Sequence, residues 1–379
     1  MDKPKPGNPR SDLHIAIARR LVERLPDRDI VAVLLAGSST WGDADESSDV
    51  DLQILLDRPA PYREVTCIRI AEFLGEAPPD GPHYVDLDRL SAAAYQEVAT
   101  RHSGLDYRLV HGLIPRDTRG FLADLQRDAI ARFALPASYQ ARFETHRTLV
   151  ETERTGAREA DAQSDATLAR LRSRRMVEHA AASILDFADD RVSNHLVDAV
   201  VKGLAHLRRA DLGAAFLRAM AVDDGARGVD RALEAWRRFG EVSLEWFEDP
   251  AIGGQLNGED RAWVLLNWND AVVEEMEVRR EALTRIGKLP ALQYYADNKL
   301  TVPVRISFGK YLSLIETGQV ARQTVAQFHQ SLRRLHPDLF GEWVAGLRLD
   351  APSPALAECE ALAGELLAIG AAALARMGE

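Results

Sequence analysis

Gly37-Ser38-Ser39-Thr40-Trp41-Gly42-Asp43-Ala44-Asp45-Glu46-Ser47-Ser48-Asp49-Val50-Asp51-Leu52 lies between two apolar runs. Before it, Val31-Ala32-Val33-Leu34-Leu35-Ala36 is short and rich in branched residues, as a buried strand would be. After it, Asp49 to Leu56 reads as a second strand, which Pro59 cannot continue. Gly37 and Gly42 let the backbone turn tightly and approach phosphate oxygens, while the Ser38, Ser39 and Thr40 hydroxyls and the nearby amides can donate to them. The loop is thus a candidate triphosphate cradle. Asp49 and Asp51 stand two apart at the start of a strand, so both carboxylates share one face. Like charges forced together call for a cation, and hard oxygen ligands suit magnesium, which also bridges substrate phosphates.

The stretch resembles the signature of the polymerase-β-like nucleotidyltransferase superfamily: a Gly-Ser pair, a second Gly, then Ser-Asp-x-Asp leading into an apolar strand. The resemblance covers about the first 125 residues and implies a third carboxylate on a later strand. His83-Tyr84-Val85-Asp86-Leu87-Asp88 supplies it, with Asp86 as the implied catalytic residue and Asp88 as substitute, the simpler use of Asp88 being a helix cap before Leu90. Leu109 to Phe121 looks like the closing strand and turn of such a unit. Two magnesium ions held by Asp49, Asp51 and Asp86, with Gly37, Ser38 and Ser39 at the nucleotide, are what the resemblance implies.

Around this centre the periodicity predicts a helix over Ser11–Leu25 with a Ser-Asp cap, a helix over Arg63–Leu74, a Pro/Gly-rich turn at Pro78–Pro82 and a strand around His83–Leu87. Beyond Pro136 nearly every segment has three- and four-residue apolar spacing, broken at Asp223-Asp224-Gly225, Gly253-Gly254, Leu289-Pro290 and Pro352–Pro354. The expectation is an α+β protein: a catalytic domain over residues 1–125 and a helical substrate-binding domain over 126–379. No repeat of fixed period is present, which argues against a solenoid.

The chain has 379 residues and a formal net charge of −11, which suits a cationic small substrate better than a nucleic acid. No run reaches the roughly 20 apolar residues of a membrane span, and the Pro-rich Met1–Arg10 stretch lacks a signal-peptide core, giving a cytoplasmic expectation. The two cysteines, Cys67 and Cys359, read as reduced structural thiols, and the ten histidines show no zinc spacing. Arg outnumbers Lys 41 to 6.

Small-molecule nucleotidyltransferases that modify aminoglycosides and lincosamides are similar in placing a helical domain after the catalytic unit. That similarity makes Lys202, Lys299 and Lys310 candidates for phosphate contact, with Lys202 the foremost. It makes Glu274, Glu275 and Glu277 candidates for a cationic acceptor or a general base. The competing reading for each is a solvated helix face, as it is for the Arg170–Arg175 run. The expected reaction is attack of an acceptor hydroxyl or phosphate on the α-phosphorus of a nucleoside triphosphate, with pyrophosphate released. A small antibiotic or metabolite is the expected acceptor. The alternatives are nucleotidylation of a protein or tRNA by a toxin-like enzyme, and a nucleotide-binding protein without catalysis.

Overall fold

The computed structural model describes residues 8–60, 62–76, 78, 81–102, 107–187, 196–222, 225–352 and 354–377. Most of the Met1–Arg10 stretch, residues 79 and 80 of the expected Pro78–Pro82 turn, Asp223-Asp224 and residue 353 lie outside the described residues.

Contacts divide the chain into two units, Met1–Ser138 with Asn257–Ile286, and Tyr139–Leu256 with Gly287–Glu379. The first holds α1 (Pro9–Glu23), β1 (Ile30–Ala36), α2 (Ser38–Trp41), β2 (Val50–Leu56), β3 (Arg63–Arg69), α3 (Ile70–Leu74), β4 (Tyr84–Ser91), α4 (Ala92–His102), α5 (Tyr107–His111), β5 (Leu113–Asp117) and α6 (Phe121–Phe133). Helix α7 (Pro136–Ala162) leads into the second unit, which continues through α8 (Ala166–Ala182), α9 (Leu196–His206), α10 (Ala210–Met220) and α11 (Gly225–Glu248). Helices α12 (Gly258–Trp268) and α13 (Asp270–Arg285) return to the first unit. The second then resumes with α14 (Leu289–Thr317), α15 (Val325–Leu335), α16 (Pro337–Gly346) and α17 (Leu356–Met377). The protein is α+β, a small α/β region followed by a mainly helical one. The division differs from a cut at 125/126, which would fall inside α6 and would assign α12 and α13 to the helical part.

The five strands run in the order β3-β4-β2-β1-β5. Strand β2 is antiparallel to β1 and parallel to β4. Both sheet faces are covered, and this explains why β1 is apolar at every position. Val33 and Leu35 pack with Ile17 and Leu21 of α1, whereas Ala32 and Leu34 pack with Leu109, Leu122 and Phe133 of α5 and α6. The segment expected to be one helix over Arg63–Leu74 is instead the edge strand β3 followed by the short α3. Its Val65-Thr66-Cys67-Ile68 core is β-branched or small, and pairing with β4 overrides the helical spacing.

Helix α1 begins earlier in the chain than expected. Asn8 is the cap, accepting from the Arg10 amide, with Pro9 in the first turn. Ser11, expected at the cap, is a buried residue whose hydroxyl accepts from the Ala44 amide. Leu289-Pro290 does mark a break, that between α13 and α14, where it opens α14 because proline fits the first helical turn.

In the second unit, helix α8 is not the solvated charged face expected of the Arg170–Arg175 run. Glu153 of α7, which is buried, receives Arg172 at 2.7 Å and Arg175 at 2.8 Å. The Arg174 guanidinium is buried on the carbonyls of Leu347 and Arg348. Arg172, Arg174 and Arg175 therefore point into the helical core, because carboxylate and carbonyl partners wait there. No helix among the described residues is long and apolar enough to cross a membrane.

Candidate active site

The site lies where β1 ends and β2 and β4 begin. Asp51 is the register partner of Ala36 on β1 and of Asp86 on β4. The parallel pairing of β2 with β4 therefore brings Asp86 beside Asp51 from a later part of the chain, and Asp49 stands just before β2.

Gly37 follows β1 with φ of 76° and carries no side chain for a second reason. A Cβ there would lie 2.0 Å from Asp51 Oδ2. The glycine is required both for its left-handed backbone and because the carboxylate packs against its Cα. Gly42 closes the single turn α2 with φ of 77°. Within that turn the three hydroxyls differ. Thr40 donates to the Gly37 carbonyl at 3.0 Å, and Ser39 is buried 3.2 Å from His14 Nδ1. Ser38 is partly open to solvent. Of the expected cradle hydroxyls, Ser39 and Thr40 are thus committed to holding the loop.

Helix α1 holds the loop from outside. The Asn8 amide donates to the carbonyls of Gly42 and Ala44, Ser11 takes the Ala44 amide, and His14 meets Ser39. These residues recur at three-residue spacing on one helix face. Burial first, then the charge of Arg10, holds the His14 imidazole down at about 4 against the pull of the Asp49 backbone, so the ring is neutral near pH 7. Further along, Asp45 accepts from the amide and hydroxyl of Ser47, closing the turn that delivers Asp49.

Burial, reinforced by the charge of Asp49, pushes the Asp51 carboxyl well above the usual carboxylate range, while Arg108 and Arg279 oppose the rise. Cys67, which the sequence marks only as a structural thiol, is the cross-strand partner of Asp86 on β3. Its own burial, and then the Asp86 charge, keep it a thiol. Asp88 serves neither as a helix cap nor as a site carboxylate, because it forms a two-bonded pair with Arg63 across the β3–β4 edge, each bond 3.0 Å. The helix-start role falls to Ser91, whose hydroxyl accepts from the Ala94 amide.

From the other end of the sequence, α13 brings charge to the same place. Arg279 Nη2 donates to Asp49 Oδ2 at 3.0 Å and to Glu275 Oε1 at 2.8 Å, and both α13 residues are about 5% exposed. Glu274 is held by Arg69 at 2.7 Å and by the Tyr84 hydroxyl at 3.2 Å, while Glu277 pairs with Arg280. Of the three glutamates singled out by sequence, Glu275 is the one linked to Asp49, through Arg279. Arg279, four residues on, is a site residue that no motif marks; its helical spacing from Glu275 is the one signal that points to it. Lys202 is exposed on α9, Lys299 lies 5.4 Å from the centre of the Tyr295 ring, and Lys310 is half-buried on α14, all in the second unit.

Among the described residues, no group of three or more acidic, His or Cys side chains is placed to form a metal site. The chemistry of the donors still fits a hard divalent cation. Asp49 and Asp51 are crowded carboxylates, and magnesium is commonly bound by one or two such groups together with substrate phosphates.

Residues 16–104 match the family described as nucleotidyltransferase domain. That span includes Gly37, Asp49, Asp51 and Asp86. A solved nucleotidyltransferase-like protein from Exiguobacterium sibiricum 255-15 is 11% identical over 88% of this chain and 89% of that one. Its TM-score is 0.31, a likeness too slight to argue from. No curated protein matches the chain.

Proposed function

We propose that the chain, whose residues 16–104 match the nucleotidyltransferase domain family, is an enzyme of the polymerase-β-like kind that transfers a nucleoside monophosphate from a nucleoside triphosphate to a small-molecule acceptor, releasing pyrophosphate. The observation that supports this most directly is the packing of Asp51 against the Cα of Gly37, with Asp86 in register beside it. That arrangement joins a backbone turn able to approach phosphate closely to carboxylates with no apolar use.

In this reading Asp49, Asp51 and Asp86 would hold two magnesium ions. Bound there, the metal would neutralise phosphate charge and lower the pKa of the attacking group. Gly37 and Ser38 would line the triphosphate, Ser38 offering the hydroxyl that its neighbours cannot. Ser39 would act through His14 by fixing the loop. Positioning and charge compensation are the work left to the chain, since phosphoryl-type transfer asks for little covalent chemistry of the protein. Lys202 remains a proposed phosphate contact on the strength of resemblance alone.

The acceptor is proposed as a small cation from the acidic balance of the chain. The inward use of Arg172, Arg174 and Arg175 removes the basic helix face that an RNA acceptor would have used. The test is to incubate the protein with magnesium, each nucleoside triphosphate and a panel of aminocyclitols and metabolites while following pyrophosphate. Release that requires one acceptor and vanishes in Asp51→Asn supports the proposal. Undiminished release from Asp51→Asn overturns the assignment, and transfer to tRNA or protein alone overturns the acceptor.

A further inference from the structure

Helix α13 has anchors that do not involve Arg279. Glu274 is tied to Arg69 and Tyr84, and Val272, Met276, Ala282 and Leu283 are buried. Docking a helix does not call for a buried guanidinium in addition, and an apolar side chain of similar volume commonly serves as well or better. Yet Arg279 spans from Glu275, one turn earlier on its own helix, to Asp49 on the far side of the sequence, using a single nitrogen for both. The carboxylate oxygen that it occupies is one that the proposed metal would need.

We infer that Arg279 is the resident counter-cation of the carboxylate site and competes with the metal ion for Asp49. This rests on reading Asp49, Asp51 and Asp86 as the metal carboxylates. An ion approaching Asp49 meets both a hydrogen bond to be broken and a like charge to be displaced. Glu275 completes the device. When Asp49 passes to the metal, the guanidinium keeps Glu275 as its buried partner, so no charge is stranded. Arg279 is thus a positioning residue: it holds the Asp49 carboxylate in place while metal is absent and sets the metal concentration at which the site loads.

Arg279 and its buried partner Glu275 predict opposite outcomes. Removing the competitor in Arg279→Gln should tighten binding of Mn2+ alone to the full chain, without nucleotide, by about tenfold. Removing the holder in Glu275→Gln should weaken it by about threefold, because the guanidinium then has Asp49 as its main counterion. Free Mn2+ is read by electron paramagnetic resonance, with circular dichroism to check the fold. Unchanged or weaker binding in a folded Arg279→Gln overturns the inference, as does unchanged or tighter binding in Glu275→Gln, which decides the matter by itself if the arginine variant fails to fold. Asp51→Asn in each background keeps the underlying reading separate. If Mn2+ binding survives that change, the metal assignment itself fails, whatever Arg279 does.

Discussion

Two clusters of buried charge, one in each unit, are balanced in different ways. In the helical unit the buried carboxylates are met by protein. Glu153 takes two arginines, and Asp297 takes Arg348 through both oxygens and the Gln293 amide as well. Glu178, whose carboxyl burial raises, has the Tyr294 hydroxyl at 2.8 Å. At the end of β1 the balance is less complete. Asp49 and Asp51 repel one another across a partly buried floor, with the Asp86 position adjacent, and the Arg279 guanidinium is shared with Glu275. Charge that serves only the fold is matched within the fold, because an unmatched buried ion is strongly destabilising. Charge left in excess marks a place where a ligand completes the balance.

The sharpest way to break this comparison is to delete one carboxylate from each cluster. Asp297→Ala leaves Arg348, about 1% exposed, without its counterion and should cost about 3–5 kcal/mol in stability. Asp51→Ala should leave the metal-free melting temperature unchanged or higher, because it removes a repelled carboxylate, while abolishing pyrophosphate release. Thermal melting of both variants, at one slightly alkaline pH, checks the contrast. A large stability loss in Asp51→Ala would mean that its carboxylate is structural after all.

A smaller effect is expected at Gly37. Alanine there meets both a left-handed φ and the Asp51 carboxylate, so the carboxylate must shift. A displacement of about 1 Å at a reacting centre costs on the order of 100-fold in rate, whereas the backbone strain should cost only about 1 kcal/mol or a little more. The expected signature is an enzyme that is folded but slow. Activity within a factor of about three of the parent protein would show that the close approach is incidental.

The smallest effect sharpens the helical side. Burial holds His179 and His329 down at about 4, against an ordinary value of 6.5. The unfolded chain therefore binds more protons than the folded one as pH falls. Stability from these rings is complete above about 6.5 and is lost as pH drops toward about 4, each tenfold difference in a ring's proton affinity between the two states being worth at most about 1.4 kcal/mol. His329→Gln should flatten the fall in urea midpoint between about pH 7 and about pH 5. An equally steep fall in that variant would place the acid sensitivity elsewhere.

The residues themselves determined the β1-loop-β2 unit. A strand apolar on both faces, a glycine pair and carboxylates at a period of two are local patterns, and local geometry obeys them: Asp51 does face Gly37, and Asp86 lies on the next parallel strand. Helical spacing after Pro136 was equally legible. What the tertiary structure alone decided is where long-range partners fall. Arg63–Arg69 became a strand because β4 offered an edge to pair with. Ser39 turned inward because His14, from the preceding helix, reaches it. Arg174 was buried, and Arg172 and Arg175 were turned inward, because the carbonyls after α16 and the Glu153 carboxylate were there to receive them. Arg279 entered the site across 230 positions of sequence. A charged residue has no fixed address in a periodic pattern, since its placement depends on what neutralises it, and that partner can come from any part of the chain.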